Sequence, residues 1–324
     1  MRRGAYTGTL CEFKPRVAAM ILHHYGVSPY SEKIRCLFGY TDMAWQSVVV
    51  PPLPPRPVLD PLVGGYRRIP VAQIGADLFC DSNLIAEEIA DLASNPQLAL
   101  AHCAAEIQAF VQHTEQTVFM AVVQSVVPKS AMAMLLPRYW PWQILKLMRD
   151  RAKVAKTSKA PRLTRSERTD ALASFCDGIE TRTNSNAFLF GETPTIADFA
   201  AYHVVWFADL TRPGQLLQGK SHALAWQARM HAFGHGEMAK IKPALVFQTA
   251  RESEPRQIAN TQREHREIGA SVVVRPNDYA REGVTGQLVG ADVDRWIIAR
   301  HTDRFGTLHV HFPTRGYELS VTGK

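Results

Sequence analysis

The strongest local signal in the chain is the sequence MILHHYGVSPYSEKIR, which occupies residues 20–35. Its short apolar run, ended by Gly26, predicts a buried strand, and Ser28 followed by Pro29 predicts the N-cap and first position of a helix. A hydroxyl at that place lies beside unpaired backbone N–H groups, at the end of the helix dipole that stabilises an anion. Taken alone, the segment is explained best by a plain serine N-cap.

The composition is that of a globular protein. The chain has 324 residues, of which 46% are hydrophobic and 21% charged, and its length allows one to three domains. No apolar run approaches the roughly 18 residues that span a bilayer, so we expect no membrane segment. Residues 1–19 lack the apolar stretch of a secretory signal and are predicted to be a disordered extension.

The cysteines and the charge narrow the functional classes. The five cysteines are odd in number and form no C-x-x-C pair. This favours a reducing cytoplasm over a disulfide framework or a zinc ribbon.

The net charge is +7, and ten Lys/Arg lie between Arg138 and Arg168. A solvated helix face explains that stretch, and without a recognition motif we expect no nucleic-acid partner.

Beyond the opening helix, the first third of the chain alternates strands and loops. Strands are predicted at residues 45–50 and 69–74, separated by the proline-rich segment Pro51–Pro57, which favours an extended loop. Gly75-Ala76-Asp77 predicts a hairpin turn into a strand at residues 78–80. A helix capped by Asp81 or Ser82 is then predicted to reach Leu92.

This β-α-β, loop, β-β-α order resembles the amino-terminal domain of glutathione transferases, which is thioredoxin-like. The resemblance is carried by three segments in the expected order, S28-P-Y-S-x-K-I-R35, R68-I-P-V71 and D81-S-N-L-I-A86. Any one of them is a weak match, but three in register are strong. Because Ser28 stands at the position of the reactive residue, the resemblance is to the serine/cysteine-type branch.

The second half fits the helical domain of the same family. Helices are predicted at about 101–127, where Pro128 and Pro137 follow, and at 142–155, 166–184 and 223–233. Thr195 followed by Asp198 predicts a capping box that opens a further apolar helix through Trp206. Residues 271–274, 284–289, 296–300, 308–312 and 317–321 each predict a strand, with glycines at the turns between them.

The predicted fold class is thus an α/β thioredoxin-like domain, an all-α helical bundle domain and a small all-β C-terminal domain. The predicted boundaries are 1–19 (extension), 20–93 (thioredoxin-like), 94–240 (helical), 241–268 (linker or helix) and 269–324 (β domain). The last domain, an antiparallel sheet or barrel, is an addition on which the resemblance is silent.

The resemblance implies a site for glutathione as co-substrate. Ile69, before Pro70, would pair with the backbone of the tripeptide, and the Ile69–Pro70 bond is a candidate for the cis form. Asp81 and Ser82 would hold the charged γ-glutamyl end. Ser28 would donate a hydrogen bond to the thiolate and keep it ionised.

Other polar residues rank behind these. Tyr25 is the competing hydroxyl for thiol activation, and Ser31, one helical turn after Ser28, is expected on the helix surface. Cys36 is expected to be a buried core thiol. His309 and His311 share one face of a strand with a spacing that can bind metal, but two ligands do not make a site and the sequence shows no third. We therefore predict no metal.

The function that the resemblance implies is attack by the glutathione thiol on a small electrophile, as in detoxification, by a cytoplasmic homodimer. The second substrate would lie between Tyr25, the Pro51–Pro57 loop and the helix through His113, Thr117 and Met120. Two alternatives stay open. One is a non-catalytic binding or interaction protein of this fold, and the other is a nucleic-acid or ribosome-associated factor that uses the basic stretch and the β domain.

Overall fold

A computed structural model describes residues 19–125, 140–210 and 212–322. Nearly all of the predicted extension (1–19) and the two predicted helix breakers, Pro128 and Pro137, lie outside the described residues. Among the described residues, no helix has both the length and the apolar character needed to cross a membrane.

The strands are β1 (Met20–His24), β2 (Trp45–Val49), β3 (Val71–Ile74), β4 (Asp77–Cys80), β5 (Met238–Lys240), β6 (Ser271–Pro276), β7 (Val284–Ala291), β8 (Arg295–Thr302), β9 (Gly306–Pro313) and β10 (Tyr317–Val321). The α-helices are α1 (Pro29–Tyr40), α2 (Asp60–Val63), α3 (Ser82–Leu92), α4 (Ala105–His113), α5 (Phe119–Ser125), α6 (Pro141–Thr157), α7 (Arg165–Thr183), α8 (Ile196–Asp209), α9 (Ser221–Ala232) and α10 (Pro243–Glu252).

The first four strands form the predicted thioredoxin-like arrangement. Strand β1 pairs in parallel with β2 and antiparallel with β3, and β3 pairs antiparallel with β4. The predicted helices after Ser28 and Asp81 are α1 and α3. The Ile69–Pro70 peptide bond is cis, and a second cis bond joins Pro54 and Pro55 in the proline-rich loop.

The helical content of the second half is also confirmed, with one difference. The long helix predicted at 101–127 is interrupted, because residues Thr114–Val118 form a π-helical turn between α4 and α5. Such turns are rare and often occur at functional sites. The capping box predicted at the start of α8 is present, with Thr195 as its N-cap and Asp198 as its acidic member.

All five strands predicted in the C-terminal region are present, but they continue the thioredoxin-like sheet. Strand β9 pairs in parallel with β4, which gives one ten-stranded sheet in the order β10-β6-β7-β8-β9-β4-β3-β1-β2-β5. Strand β5, which the sequence did not predict, closes the other edge by pairing in parallel with β2. The two regions therefore share main-chain hydrogen bonds.

The two faces of β1 join different cores. Met20 and Leu22 pack in a cluster with α1, α3 and the helices of the second half, whereas Ile21 packs in a cluster with β6–β10 and α10. This follows from the alternation of side chains along a strand. Strand β1 thus packs against the helical region with one face and shares the hydrophobic cluster of its other face with residues of the C-terminal strands.

Candidate functional site

The strand register brings the three predicted segments to one end of the sheet. His23, at the end of β1, pairs with Val71, at the start of β3, and Val71 pairs in turn with Cys80, at the end of β4. Ser28 follows β1, Pro70 precedes β3 and Asp81 follows β4. Because β3 runs antiparallel to both neighbours, these residues leave the sheet on the same side.

Ser28 is the N-cap of α1, as its position in the sequence predicts. Its Oγ accepts the backbone N–H of Ser31 at 3.3 Å, and its own N–H donates to the Tyr25 carbonyl at 3.1 Å. The residue is 2% exposed. A hydroxyl carries one proton and two lone pairs, so the capping bond leaves the proton available for another acceptor.

A buried arginine holds the turn before Ser28. Arg35 donates from Nη2 to the Gly26 carbonyl at 3.0 Å, and its guanidinium also contacts His24 Nδ1 at 3.1 Å. Glu32 pairs with Arg35 at 2.5 Å, and burial lowers the pKa of His24 to about 3, so its imidazole is neutral at pH 7. Arg35 is therefore a positioning residue, which the sequence pattern did not single out.

Ser31 lies elsewhere than expected. It is 0% exposed, and its Oγ has no hydrogen-bond partner among the described residues. The expectation that it occupies the helix surface is wrong, because the adjacent helices of the second half cover this face of α1. A buried hydroxyl without a partner is unusual, which makes Ser31 the natural control for Ser28.

Asp81 has an unusual backbone conformation. Its φ is 94°, a region that residues with a side chain rarely adopt, and such strain concentrates at functional sites. Its Oδ1 accepts the N–H of Asn83 at 2.9 Å as the cap of α3. Burial raises its pKa above the ordinary value of 3.8. The cap is Asp81, and Ser82 is the buried first residue of the helix.

A tyrosine of a C-terminal strand donates a hydrogen bond to the carboxylate of Asp81. Tyr317, the first residue of β10, donates from its hydroxyl to Asp81 Oδ2 at 3.1 Å. Tyr66 lies 2.5 Å from the Tyr317 hydroxyl, and both tyrosines are buried. Because Tyr317 donates its proton to Asp81, Tyr66 must donate to Tyr317. Nothing in the sequence linked these three residues.

Arg68 connects the cis-proline loop to the C-terminal region. Its Nε donates to the Tyr279 carbonyl at 3.0 Å, its Nη2 pairs with Asp278, and its guanidinium lies over the ring of Tyr317. Ile69, the residue expected to pair with a tripeptide backbone, follows directly and is 9% exposed. The loop between β6 and β7 therefore lies against this segment.

An ion pair lies between α1, α3 and the π-helical turn. Lys33 Nζ donates to Asn83 Oδ1 at 2.6 Å and to Glu115 Oε1 at 2.7 Å, and Asn83 Nδ2 donates to Glu115 Oε2 at 2.9 Å. Burial opposes ionisation of Glu115, but Lys33 outweighs it, so the pKa of Glu115 is lowered from 4.5. Tyr30 donates to the Glu115 carbonyl at 3.3 Å.

Tyr25 lies at the border of the site and is half-buried against the core of the C-terminal strands. The proline-rich loop beside it is fixed by Arg56, which donates to the carbonyls of Pro51 and Arg67 at 3.0 and 2.6 Å. Helix α6 closes this side, because Arg151 donates to the Tyr279 hydroxyl at 2.7 Å. The proposed second-substrate region is thus bordered by α6 and the β6–β7 loop as well.

Comparison with known proteins finds one matching family model and several similar structures. Residues 22–97 match the family described as "Glutathione S-transferase, N-terminal domain". No functionally curated protein matches the chain. A GST-like protein from Pseudomonas syringae is 25% identical in sequence, with a TM-score of 0.74 over 94% of this chain and 99% of that chain. A glutathione S-transferase from Rhodospirillum rubrum F11 is 15% identical, with a TM-score of 0.47 over 65% of this chain and 86% of that chain.

The similarity to the P. syringae structure covers 94% of this chain and therefore extends well beyond the N-terminal domain. The family match covers the segment that contains Ser28, Ile69–Pro70 and Asp81–Ser82. Residues 22–97 therefore match the model of the glutathione S-transferase N-terminal domain, and the overall fold is similar to that of a GST-like protein.

Proposed function

We propose that the chain binds glutathione and activates its thiol for attack on a small electrophile. The observation that carries this proposal is the convergence of Ser28, Ile69 and the Asp81–Ser82 helix start at one end of the sheet. Together they offer a hydroxyl, a main-chain edge and a carboxylate beside a helix N-terminus. A tripeptide with a thiol, an ammonium group and carboxylates needs these partners.

In this proposal Asp81 holds the α-ammonium group of the γ-glutamyl end. Each carboxylate oxygen accepts up to two hydrogen bonds, so an ammonium group can share Asp81 with Tyr317 and with the Asn83 amide. A bound cation would also lower the pKa of Asp81, which burial raises in the free protein. The strain at Asp81 would hold the carboxylate toward the ligand.

Ser28 acts on the thiol. The Ser31 N–H uses one lone pair of Oγ, and the Ser28 proton would donate to the glutathione sulfur and stabilise its thiolate. The thiolate then forms a sulfur–carbon bond with the electrophile. With an aryl halide the halide departs with the electron pair, and with an epoxide or enoyl compound the oxygen or carbon that receives the electron pair is protonated by water. The nucleophile belongs to the co-substrate, so no enzyme residue becomes covalent.

Ser28→Ala is expected to lower kcat about 10- to 1000-fold with an aryl halide as electrophile, while the Kd for glutathione changes much less. The reason is that a donor to the thiolate acts mainly on the ionised, reacting form. A rise in the pKa of the bound thiol, measured from the pH dependence of kcat, accompanies this loss. Loss of the cap costs about 1 kcal/mol of stability.

Ser31→Ala is the matched control and is expected to keep the wild-type kcat, because its hydroxyl makes no hydrogen bond among the described residues. The opposite pattern, with Ser31→Ala inactive and Ser28→Ala active, would contradict the role of Ser28. A panel of aryl halides, epoxides and enoyl compounds identifies the class of electrophile.

A non-catalytic binding protein is the second candidate. It is favoured by the burial of Ser28, which is 2% exposed, because burial limits the approach of a thiol to its hydroxyl. Glutathione binding without turnover on any member of the panel would select this function. The homodimer and the cytoplasmic location stay predictions that rest on the family resemblance.

A further inference from the structure

We propose that Asp77, His309 and His311 form a binding site for a divalent transition-metal ion, with Zn²⁺ as its probe. The site is separate from the candidate glutathione site and does not depend on it. Asp77 is the first residue of β4, and both histidines are on β9. Since β4 and β9 are neighbouring parallel strands with Asp77 in register with His309, the three side chains meet.

The distances suit a shared ion. Asp77 Oδ1 lies 2.8 Å from His311 Nε2 and 3.8 Å from His309 Nδ1, and all three ligand atoms lie within 4.8 Å of one another. The 3.8 Å separation is too long for a hydrogen bond, but it fits two ligands that are each ~2.1 Å from one Zn²⁺. The 2.8 Å contact is a hydrogen bond, so His311 and Asp77 would move apart as an ion replaces the proton between them.

The ring nitrogens of both histidines are the candidate ligand atoms. Nδ1 of each histidine has no hydrogen-bond partner among the described residues. In the ion-free chain His311 Nε2–H donates to Asp77, and on binding the proton would move to the unpartnered Nδ1, so that the Nε2 lone pair faces the ion.

The surroundings fix the position of the Asp77 carboxylate. Asp77 is 1% exposed, and its Oδ2 accepts the backbone N–H of Arg256 at 2.9 Å. The side chains of Arg256 and Arg295 are each paired with Glu88 at 2.7 Å, so neither guanidinium neutralises Asp77 directly. A hydrogen bond from outside the ligand set that orients a ligating carboxylate is typical of metal sites.

A cavity gives access to the site. It has a volume of about 410 Å³ and is lined by His309 together with Arg256, Leu288 and Ile268. Two histidines and one carboxylate leave a coordination position open, and His309 is the ligand that faces the cavity. Water from the cavity would complete a tetrahedral shell.

The test is titration of the full, chelator-treated chain with Zn²⁺ by calorimetry and with Co²⁺ by visible absorption. We expect one ion per chain, the visible absorption bands typical of Co²⁺ with a low coordination number, and a Zn²⁺-dependent rise in Tm. His309→Gln and Asp77→Asn, which preserve side-chain size, are expected to weaken binding about 10- to 100-fold or more and to remove the bands.

His301→Gln is the matched control, because His301 is an exposed histidine on the neighbouring strand β8 and its loss should leave binding unchanged. The proposal is overturned if the wild-type chain binds neither ion, or if His309→Gln and Asp77→Asn bind Co²⁺ as the wild type does. The wild-type titration keeps the proposal testable even if a variant does not fold.

Discussion

Replacement of Lys33 by methionine is expected to lower the free energy of unfolding by about 3–5 kcal/mol. Lys33 is 0% exposed and holds Glu115 and Asn83 through Nζ. Its removal leaves the Glu115 carboxylate buried without its cation, which costs more than the ion pair itself contributes. Chemical denaturation at pH 7 measures the loss.

The same pair predicts a pH dependence. The folded-state pKa of Glu115 is lowered, so its stabilisation is fully present above its unfolded pKa of about 4.3 and is lost as the pH falls through the folded value. In Lys33→Met the carboxylate is destabilising when ionised. Since the buried carboxylate without its cation has a raised pKa, the difference between wild type and variant should begin to shrink above the unfolded pKa and continue to shrink as the pH falls through the lowered pKa of the wild-type Glu115.

The controls separate the ion pair from general packing. Lys33→Met combined with Glu115→Leu is expected to recover most of the stability, because both charges are then absent. Lys220→Met removes a lysine from an exposed pair with Asp177 and is expected to have a smaller effect. Equal losses from the Lys33 and Lys220 variants would contradict the account.

Asp198→Ala is expected to cost about 3–5 kcal/mol, since it leaves several buried donors without an acceptor. Asp198 is 0% exposed and accepts the backbone N–H groups of Leu189 and Thr195, each at 2.9 Å. It also accepts the indole N–H of Trp226 at 3.0 Å. It thus joins α8, α9 and the loop before them, and urea denaturation measures the loss.

Two comparison variants test whether the loss of stability depends on how many buried donors lack an acceptor. Asp198→Asn keeps one carbonyl oxygen and is expected to be intermediate. Asp170→Ala, on the exposed face of α7, should change stability by no more than about 0.5 kcal/mol. A loss of stability below about 1 kcal/mol for Asp198→Ala would contradict the prediction that these buried donors depend on Asp198.

The thioredoxin-like arrangement could be predicted because its signals are local. Gly26, Pro29, Gly75 and Asp81 each mark the end or start of an element within a few residues of it. The helix starts of α1 and α8 were visible for the same reason, as Ser28 and Thr195 are N-caps. Such signals depend on backbone hydrogen bonds near in sequence, which a pattern of residue types records.

Long-range pairings could not be predicted. The hydrogen bond from Tyr317 to Asp81 and the approach of Asp77 to His309 depend on the pairing of β9 with β4, and no periodicity reports which strands become neighbours. Two histidines without a visible third ligand were therefore not a predictable metal site. The topology supplies Asp77, which the sequence showed only as a turn residue.

The burial of charged side chains is the second feature that could not be predicted from the sequence. The sequence S28-P-Y-S-x-K-I-R35 suggests an exposed polar helix face, yet Lys33, Arg35 and Glu32 are buried. Lys33 is compensated by Glu115, which is distant in sequence, whereas Glu32 and Arg35 pair with each other on the same helix. Composition predicts that charges prefer water, and only the assembled structure shows which of them find a partner inside.

The central claim is that glutathione binds where Ser28, Ile69 and Asp81 meet. Its most direct test is calorimetric titration of reduced glutathione into the wild-type chain, Asp81→Asn and the control Asp91→Asn, an exposed position on the same helix α3. We predict binding with a Kd of about 1 mM or lower for wild type and Asp91→Asn, and binding at least about tenfold weaker for Asp81→Asn. No heat of binding to the wild type at millimolar glutathione, or equal affinity in Asp81→Asn, would contradict the claim.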